Sequence, residues 1–209
     1  MPAYDSGHRM PANTPPQSSA DLSTSALPLL PRPPIIVVMG VAGSGKTTIA
    51  QLLAKHLGCA LLEGDSLHSA ENIRRMAAGI ALTDEDRHDW LIAIAERIAN
   101  AAHNGEAMVV TCSALKRRYR EMLRGDVAHL VFVYLSGEKS LIEARVNERH
   151  DHFMPGSLVE SQFAALEVPL ADEPVIYCNI ELTPQVIVES ILEQLPHTMQ
   201  RAIDTRAVR

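Results

Sequence analysis

The feature that most constrains this chain is the octapeptide Gly40-Val41-Ala42-Gly43-Ser44-Gly45-Lys46-Thr47. An apolar run, Ile35 to Met39, precedes it, and a helix-like run, Thr48 to Leu57, follows it. Strand, turn and helix around G-x-x-x-x-G-K-[ST] predict a phosphate-binding loop. Glycine permits positive φ and lets bare backbone N–H groups close on a polyphosphate. The helix N-terminus adds unsatisfied donors and the positive end of its dipole. Gly40 through Thr48 are therefore expected to hold a nucleoside triphosphate such as ATP. Lys46 would reach the β- and γ-phosphate oxygens, and the Thr47 hydroxyl would ligate Mg²⁺.

The rest of the chain extends this unit. Apolar stretches at Ile35–Met39, Cys59–Glu63, Ala107–Cys112, His129–Leu135 and Pro174–Cys178 alternate with amphipathic helical patterns. Strand alternating with helix five times predicts an α/β fold with one parallel sheet, helices on both faces and right-handed crossovers. Helix signals are clear at several points. Gly58 stops the first helix, Thr83 with Asp86 forms a capping-box-like start, and Thr183-Pro184 opens the last helix. Ser113 is expected to cap a basic helix ending at Gly125, and Ser157 with Glu160 to open another. Residues 34–196 form the expected domain. Residues 1–33 read as a disordered Pro/Ser-rich tail, since eight of the chain's thirteen prolines lie by Pro34. Its best apolar stretch, Ala26–Leu30, is short and broken by Pro28, unlike a signal peptide. Residues 197–209 read as a loose C-terminal tail.

Composition narrows the function classes. A formal charge of −6 disfavours a general nucleic-acid binder, which needs a wide cationic face. No apolar run approaches the roughly 20 residues of a membrane helix. Cys59, Cys112 and Cys178 lie far apart beside apolar runs and read as buried thiols in a reducing compartment, not a metal site.

Four groups of candidate residues fall where open α/β sheets place ligands, at strand ends. Asp65, after the second strand, can orient or deprotonate an acceptor hydroxyl, or hold Mg²⁺ through water. His68, Asn72, Arg74 and Arg75 follow it; an arginine there suits a carboxylate-bearing acceptor, although a solvated charged face has the same composition. The third group is Cys112-Ser113-Ala114-Leu115-Lys116. Its strand lacks the terminal aspartate of a Walker B strand, which argues against a motor ATPase or a GTPase. Mg²⁺ is then left to Thr47, phosphate oxygens and water, with Asp65 in reach. The fourth is Arg145, Arg149, His150 and His152, cations on a segment expected to close as a lid over the γ-phosphate and exclude water. The two histidines are not expected to bind Mg²⁺, which prefers oxygen.

Taken together, V-M-G-V-A-G-S-G-K-T-T, L-E-G-D-S-L-H-S-A-E-N-I-R-R-M-A-A-G, L-T-D-E-D-R, V-T-C-S-A-L-K-R-R-Y-R, R-H-D-H-F-M-P and S-Q-F-A-A-L-E-x-P resemble the gluconate kinases, a group of P-loop small-molecule kinases. The likeness runs from about Ile35 to Leu195. The proline-rich tail departs from it, as does His88-Asp89-Trp90, where many relatives carry proline before the tryptophan. The resemblance implies ATP-dependent phosphorylation of D-gluconate to 6-phosphogluconate, feeding the pentose phosphate or Entner–Doudoroff routes. It also implies strand order 2-3-1-4-5, and a homodimer in the cytoplasm. The catalytic candidates are then Lys46, Asp65, Arg145 and Arg149. Asp65, His68 and Ser113 would meet the gluconate hydroxyls, and Arg74, or Lys116 with Arg120, its carboxylate. Adenine contacts are expected near Asn179 to Pro184. The nearest rival is a kinase of this architecture with another acceptor, shikimate-like or adenylylsulfate-like. A nucleotide switch would carry a Walker B acid or N-K-x-D, and a dead scaffold would have lost Lys46 or Asp65.

Overall fold

In the computed structural model, which describes residue 30, residues 32–148 and residues 156–207, five strands form one parallel sheet. They are β1 (Ile35–Met39), β2 (Ala60–Glu63), β3 (Met108–Thr111), β4 (Leu130–Ser136) and β5 (Val175–Asn179), in the order β2-β3-β1-β4-β5. β1 lies at the centre, in register with Met108–Thr111 on one side and Leu130–Tyr134 on the other. A central parallel strand is covered on both faces, so its sequence is apolar without alternation. All five residues of Ile35–Met39 are fully buried.

Alternate side chains of β1 feed two separate cores. Ile36 and Val38 pack with Ile49 and Leu53 of α1 (Lys46–Leu57) and with Ile187, Ile191, Leu195 and Met199 of α7 (Pro184–Ala207). Ile35, Val37 and Met39 face Trp90, Leu91, Ile94 and Ile98 of α3 (Asp84–Asn104) and Leu123 of α4 (Arg117–Arg124). Each fully buried aliphatic side chain contributes about 1.5–3 kcal/mol. Three further helices complete the fold: α2 (Ala70–Ala77), α5 (Lys139–Asn147) and α6 (Gly156–Ala165).

Local details refine the sequence reading. The stretch after β2 forms a 3-10 turn, Gly64–Leu67, followed by α2, whose cap is Ser69. The Ser69 side chain accepts from the Asn72 N–H at 3.1 Å. Ser113 does not cap the basic helix. That helix starts at Arg117, behind a turn in which Ala114 has φ 45°. The capping box at α3 is present: Thr83 Oγ1 accepts from the Asp86 N–H at 3.2 Å, and Asp86 Oδ2 accepts from the Thr83 N–H at 2.7 Å. His88 and Asp89 lie beyond that box on the exposed side of α3, so the unusual His88-Asp89-Trp90 leaves the helix start unchanged. Residues 1–29 and 31 of the expected tail, the expected lid residues Arg149, His150 and His152, and the Ser157 side chain lie outside the described residues.

Two expectations are corrected. Residues 197–207 are not a loose end: α7 continues through Pro196 to Ala207. Proline removes one helical hydrogen bond, but Thr198, Met199 and Ala202 are buried beyond it, and Arg206 donates to the Gly125 carbonyl at 2.6 Å. That tertiary burial outweighs the lost bond. Arg120 does not face an acceptor either. Only 1% exposed, it donates to Glu173 at 2.6 and 2.9 Å and to the carbonyls of Ala114, Leu115 and Glu167. It is a structural tie between α4 and the segment leading into β5.

Truncation after Leu195 should therefore cost at least about 2 kcal/mol by urea denaturation, the scale of one emptied core position. An unchanged midpoint would place the last turns outside the core. Arg120→Ala should cost about 3–5 kcal/mol, because it strands a buried carboxylate. Burial alone would push the Glu173 carboxyl up, but the Arg120 bonds and the Leu170 N–H hold it below its ordinary 4.5. Its contribution is therefore complete above pH 4.5 and lost as pH falls through the lower folded value. Unfolding followed from pH 7 to 3 should show that loss in the wild type and not in the Arg120→Ala variant.

Candidate active site

Because the strands are parallel, their carboxyl ends share one edge of the sheet, and the loops leaving β1, β2 and β3 meet there. One cleft lies at this edge. The phosphate-binding loop and the start of α1 form one wall, with Ala42, Gly43, Gly45, Lys46, Thr47 and Thr48 lining it. Glu63, Asp65 and His68 come from the end of β2 and its turn, Thr111 and Ser113 from β3. Met76, Ala81, Leu82, Arg87 and Trp90 also line it, and Ser161 and Gln162 reach in from α6.

The loop has the backbone that its glycines require. Gly40, Gly43 and Gly45 have φ of 141°, 83° and 93°, values that a side chain disfavours. A Cβ on Gly43 would stand 2.5 Å from Val146 Cγ2, so α5 packs directly on the loop. The Lys46 ammonium donates to the Gly40 and Val41 carbonyls, both at 3.1 Å. It is thus coiled against the loop that it serves. Gln162 was not foreseen as a site residue, although it stands in the S-Q-F motif. Its Oε1 accepts from the Ala42 N–H at 2.7 Å, a donor of the kind a phosphate oxygen takes.

Across the loop, a hydrogen-bonded junction fixes the end of β2. The Thr111 hydroxyl donates to Glu63 Oε2 at 2.6 Å and accepts from the Gly64 N–H at 3.2 Å. A Cβ on Gly64 would lie 2.2 Å from the Thr111 carbonyl, so only glycine lets the turn approach β3 this closely. Asp65 follows at once, exposed to the cleft. Trp90 steadies the same turn: its indole N–H donates to the Gly64 carbonyl at 2.7 Å, and its ring stacks on His68 with centroids 4.1 Å apart. Burial pushes the His68 imidazole below its ordinary pKa; Asp65 opposes that shift and Arg87 adds to it. His68 is therefore neutral at pH 7, able to donate and accept a hydrogen bond.

Glu63 is the acid that the reading of β3 found missing, and it sits one strand over. Its Oε2 is 3.4 Å from Thr47 Oγ1, and its Oε1 is buried without a partner among the described residues. A Thr hydroxyl, an orphaned carboxylate oxygen and Asp65 nearby form an all-oxygen set. This fits Mg²⁺, which takes one or two carboxylates and completes its shell with phosphate and water. The signal was present in the sequence as a strand-terminal acid, but on the second strand, where a Walker B search does not look.

The other candidates separate by surroundings. Arg74 is exposed and pairs with Glu71 within α2. Arg75 pairs with Asp86 at 2.6 Å, and the buried Asn72 donates to the Asp86 carbonyl at 2.6 Å, so both dock α2 onto the start of α3. Lys116 donates to Asp84 at 2.9 and 3.1 Å. Arg145 donates to the Ile180 carbonyl at 2.9 Å, beside the Asn179–Pro184 loop, and does not line the cleft. Burial raises the Cys112 thiol to about 12, which leaves it protonated and inert beneath the site.

Comparison with known proteins agrees with this geometry. Residues 35–169 match a family described as an AAA domain. A gluconokinase from Gluconobacter oxydans is 45% identical over 161 residues, covering 77% of this chain and 90% of its own. One from Arabidopsis thaliana is 39% identical, covering 79% and 94%. The crystal structure of a gluconokinase from Sinorhizobium meliloti, 40% identical, superposes with a TM-score of 0.71 over 84% of this chain and 97% of that one. An adenylylsulfate kinase from Mycobacterium tuberculosis, 17% identical with a TM-score of 0.53, shares the fold alone. With the phosphate-binding loop, the G-D-x-L-H turn and the C-S-A-L-K turn lining one cleft, and with identities at this level over most of each chain, the protein belongs to the gluconokinase family of P-loop kinases.

Proposed function

We propose that this protein transfers the γ-phosphoryl group of ATP to the terminal hydroxyl of D-gluconate, giving 6-phosphogluconate and ADP. One observation carries the reading. A single cleft joins a triphosphate cradle, Gly43 to Thr48, to a wall bearing Asp65, His68 and Ser113.

In this mechanism the loop amides and Lys46 bind the β- and γ-phosphate oxygens, Lys46 leaving the Gly40 and Val41 carbonyls to do so. His68 and Ser113 position the polyol through its hydroxyls. Asp65 orients the terminal hydroxyl in line with the γ-phosphorus and accepts its proton as the new O–P bond forms. The bond from the γ-phosphorus to the bridging oxygen breaks, and ADP leaves with that oxygen. Thr47 and Glu63, with Asp65 through water, would hold Mg²⁺, which supplies neutralising charge on the phosphate oxygens. Most of the rate acceleration comes from positioning and electrostatics. Arg149 remains a proposed cation of a lid that excludes water, and Arg145 would have to leave the Ile180 carbonyl to join it. A cytoplasmic homodimer remains part of the proposal; three free thiols, two of them buried, suit a reducing compartment.

ADP release measured against gluconate, shikimate and adenylylsulfate should be rapid with gluconate alone; equal rates with another acceptor would refute the assignment. Lys46→Ala should lower kcat by orders of magnitude with an unchanged melting temperature. Asp65→Asn should lower kcat far more than it alters the KM for ATP, whereas an effect on ATP alone would make Asp65 a metal residue. Glu63→Gln should raise the Mg²⁺ concentration needed for half-maximal activity by about tenfold, the loss from one metal-site group. An unchanged Mg²⁺ requirement would remove Glu63 from the metal site.

A further inference from the structure

The structure assigns the recognition of the acceptor's carboxylate to Arg87, a residue that none of the sequence motifs marked for that role. The inference rests on the gluconate reading above and deepens it.

Gluconate carries its carboxylate and its reacting hydroxyl at opposite ends of a six-carbon chain. With the terminal hydroxyl at Asp65 facing the phosphate-binding loop, the carboxylate must lie on the far side of the cleft. That site must be cationic, because the near side already holds Glu63 and Asp65, and a third carboxylate brought in unpaired would be repelled and desolvated at high cost. Two side chains with a permanent positive charge line the cleft among the described residues, Lys46 and Arg87. Lys46 is committed to the loop at 3.1 Å from two of its carbonyls and belongs to the phosphates. Arg87 lines the same cleft from the first turn of α3, beside Leu82 and Trp90.

The arginines and lysine expected for this task are each tied to an acid elsewhere: Arg74 to Glu71, Lys116 to Asp84 and Arg120 to Glu173. Arg87 is not. One of its terminal N–H groups donates to the Leu82 carbonyl at 2.5 Å, and no ion pair to it is found among the described residues. A guanidinium has five donors in a planar fork. One bond to a carbonyl at the helix start fixes the side chain and leaves an edge for a bidentate carboxylate. The half-buried setting beside Trp90 makes that pair stronger than one in open water. α3 itself is held by its capping box and by the Arg75 and Asn72 contacts to Asp86, so the fork stands on a rigid element.

Calorimetric titration of wild type, Arg87→Gln and Arg87→Lys with gluconate and with gluconamide, each with a non-hydrolysable ATP analogue, separates charge recognition from polyol recognition. Wild type should prefer gluconate over gluconamide by about 100-fold, the worth of one charge-assisted bidentate pair. Arg87→Gln should bring the two Kd values within about threefold of each other, with ATP-analogue affinity and melting temperature unchanged. Arg87→Lys, which keeps the charge but not the fork, should retain a reduced preference and guards against a misfolded glutamine variant. If both variants keep the wild-type preference, or lose the two ligands equally, Arg87 is not the carboxylate site. If wild type binds neither compound while binding the ATP analogue, the gluconate assignment fails, and the role of Arg87 with it.

Discussion

The Thr111 hydroxyl is the pivot of this structure. It accepts from the Gly64 N–H and donates to Glu63, so one side chain at the end of β3 locks the end of β2. The neighbouring strand β1 delivers the phosphate-binding loop to the same edge. The strand pairing therefore sets the distance between the triphosphate cradle and the turn bearing Asp65. Because Gly64 packs against the β3 backbone with no space for a Cβ, that distance cannot relax without breaking the sheet's edge. Reaction geometry here is a property of the sheet, with loops supplying only the side chains.

The charged residues divide along the same line. Those away from the cleft are neutralised in pairs that dock helices: Arg75 on Asp86, Lys116 on Asp84, Arg120 on Glu173. The cleft gathers Glu63 with an orphaned oxygen, Asp65, Lys46 and Arg87 around one space. Partnered ions give register between elements, whereas the buried Glu63 oxygen is costly without a ligand. Phosphates, a divalent cation and an anionic acceptor, the ligands of the proposed reaction, would complete this arrangement.

Much of this was legible in the sequence, for identifiable reasons. The loop, its flanking strand and helix, and the five-strand alternation follow from glycine chemistry and hydrophobic period, both local properties. The capping box at Thr83 and the helix stops at Gly58 and Gly105 are local too. What the sequence hid was pairing at a distance. Arg120 looks like a surface cation in K-R-R-Y-R, and only its 53-residue separation from Glu173 along the chain, closed by the fold, shows that it is buried. Glu63 looks like the polar end of an edge strand until Thr47 is brought opposite it. Residues 197–209 read as a loose tail, and tertiary burial of Met199 overrules that up to Ala207.

In the proposed reaction the cleft moves one phosphoryl group from ATP to the terminal hydroxyl of gluconate. Nuclear magnetic resonance of the product formed from ATP and carbon-13-labelled gluconate tests it most directly. Phosphorus–carbon coupling is expected at C6 and C5, with the carboxylate carbon unshifted and ADP formed in equal amount. Coupling at any other carbon, or ADP formed with inorganic phosphate alone, would contradict it.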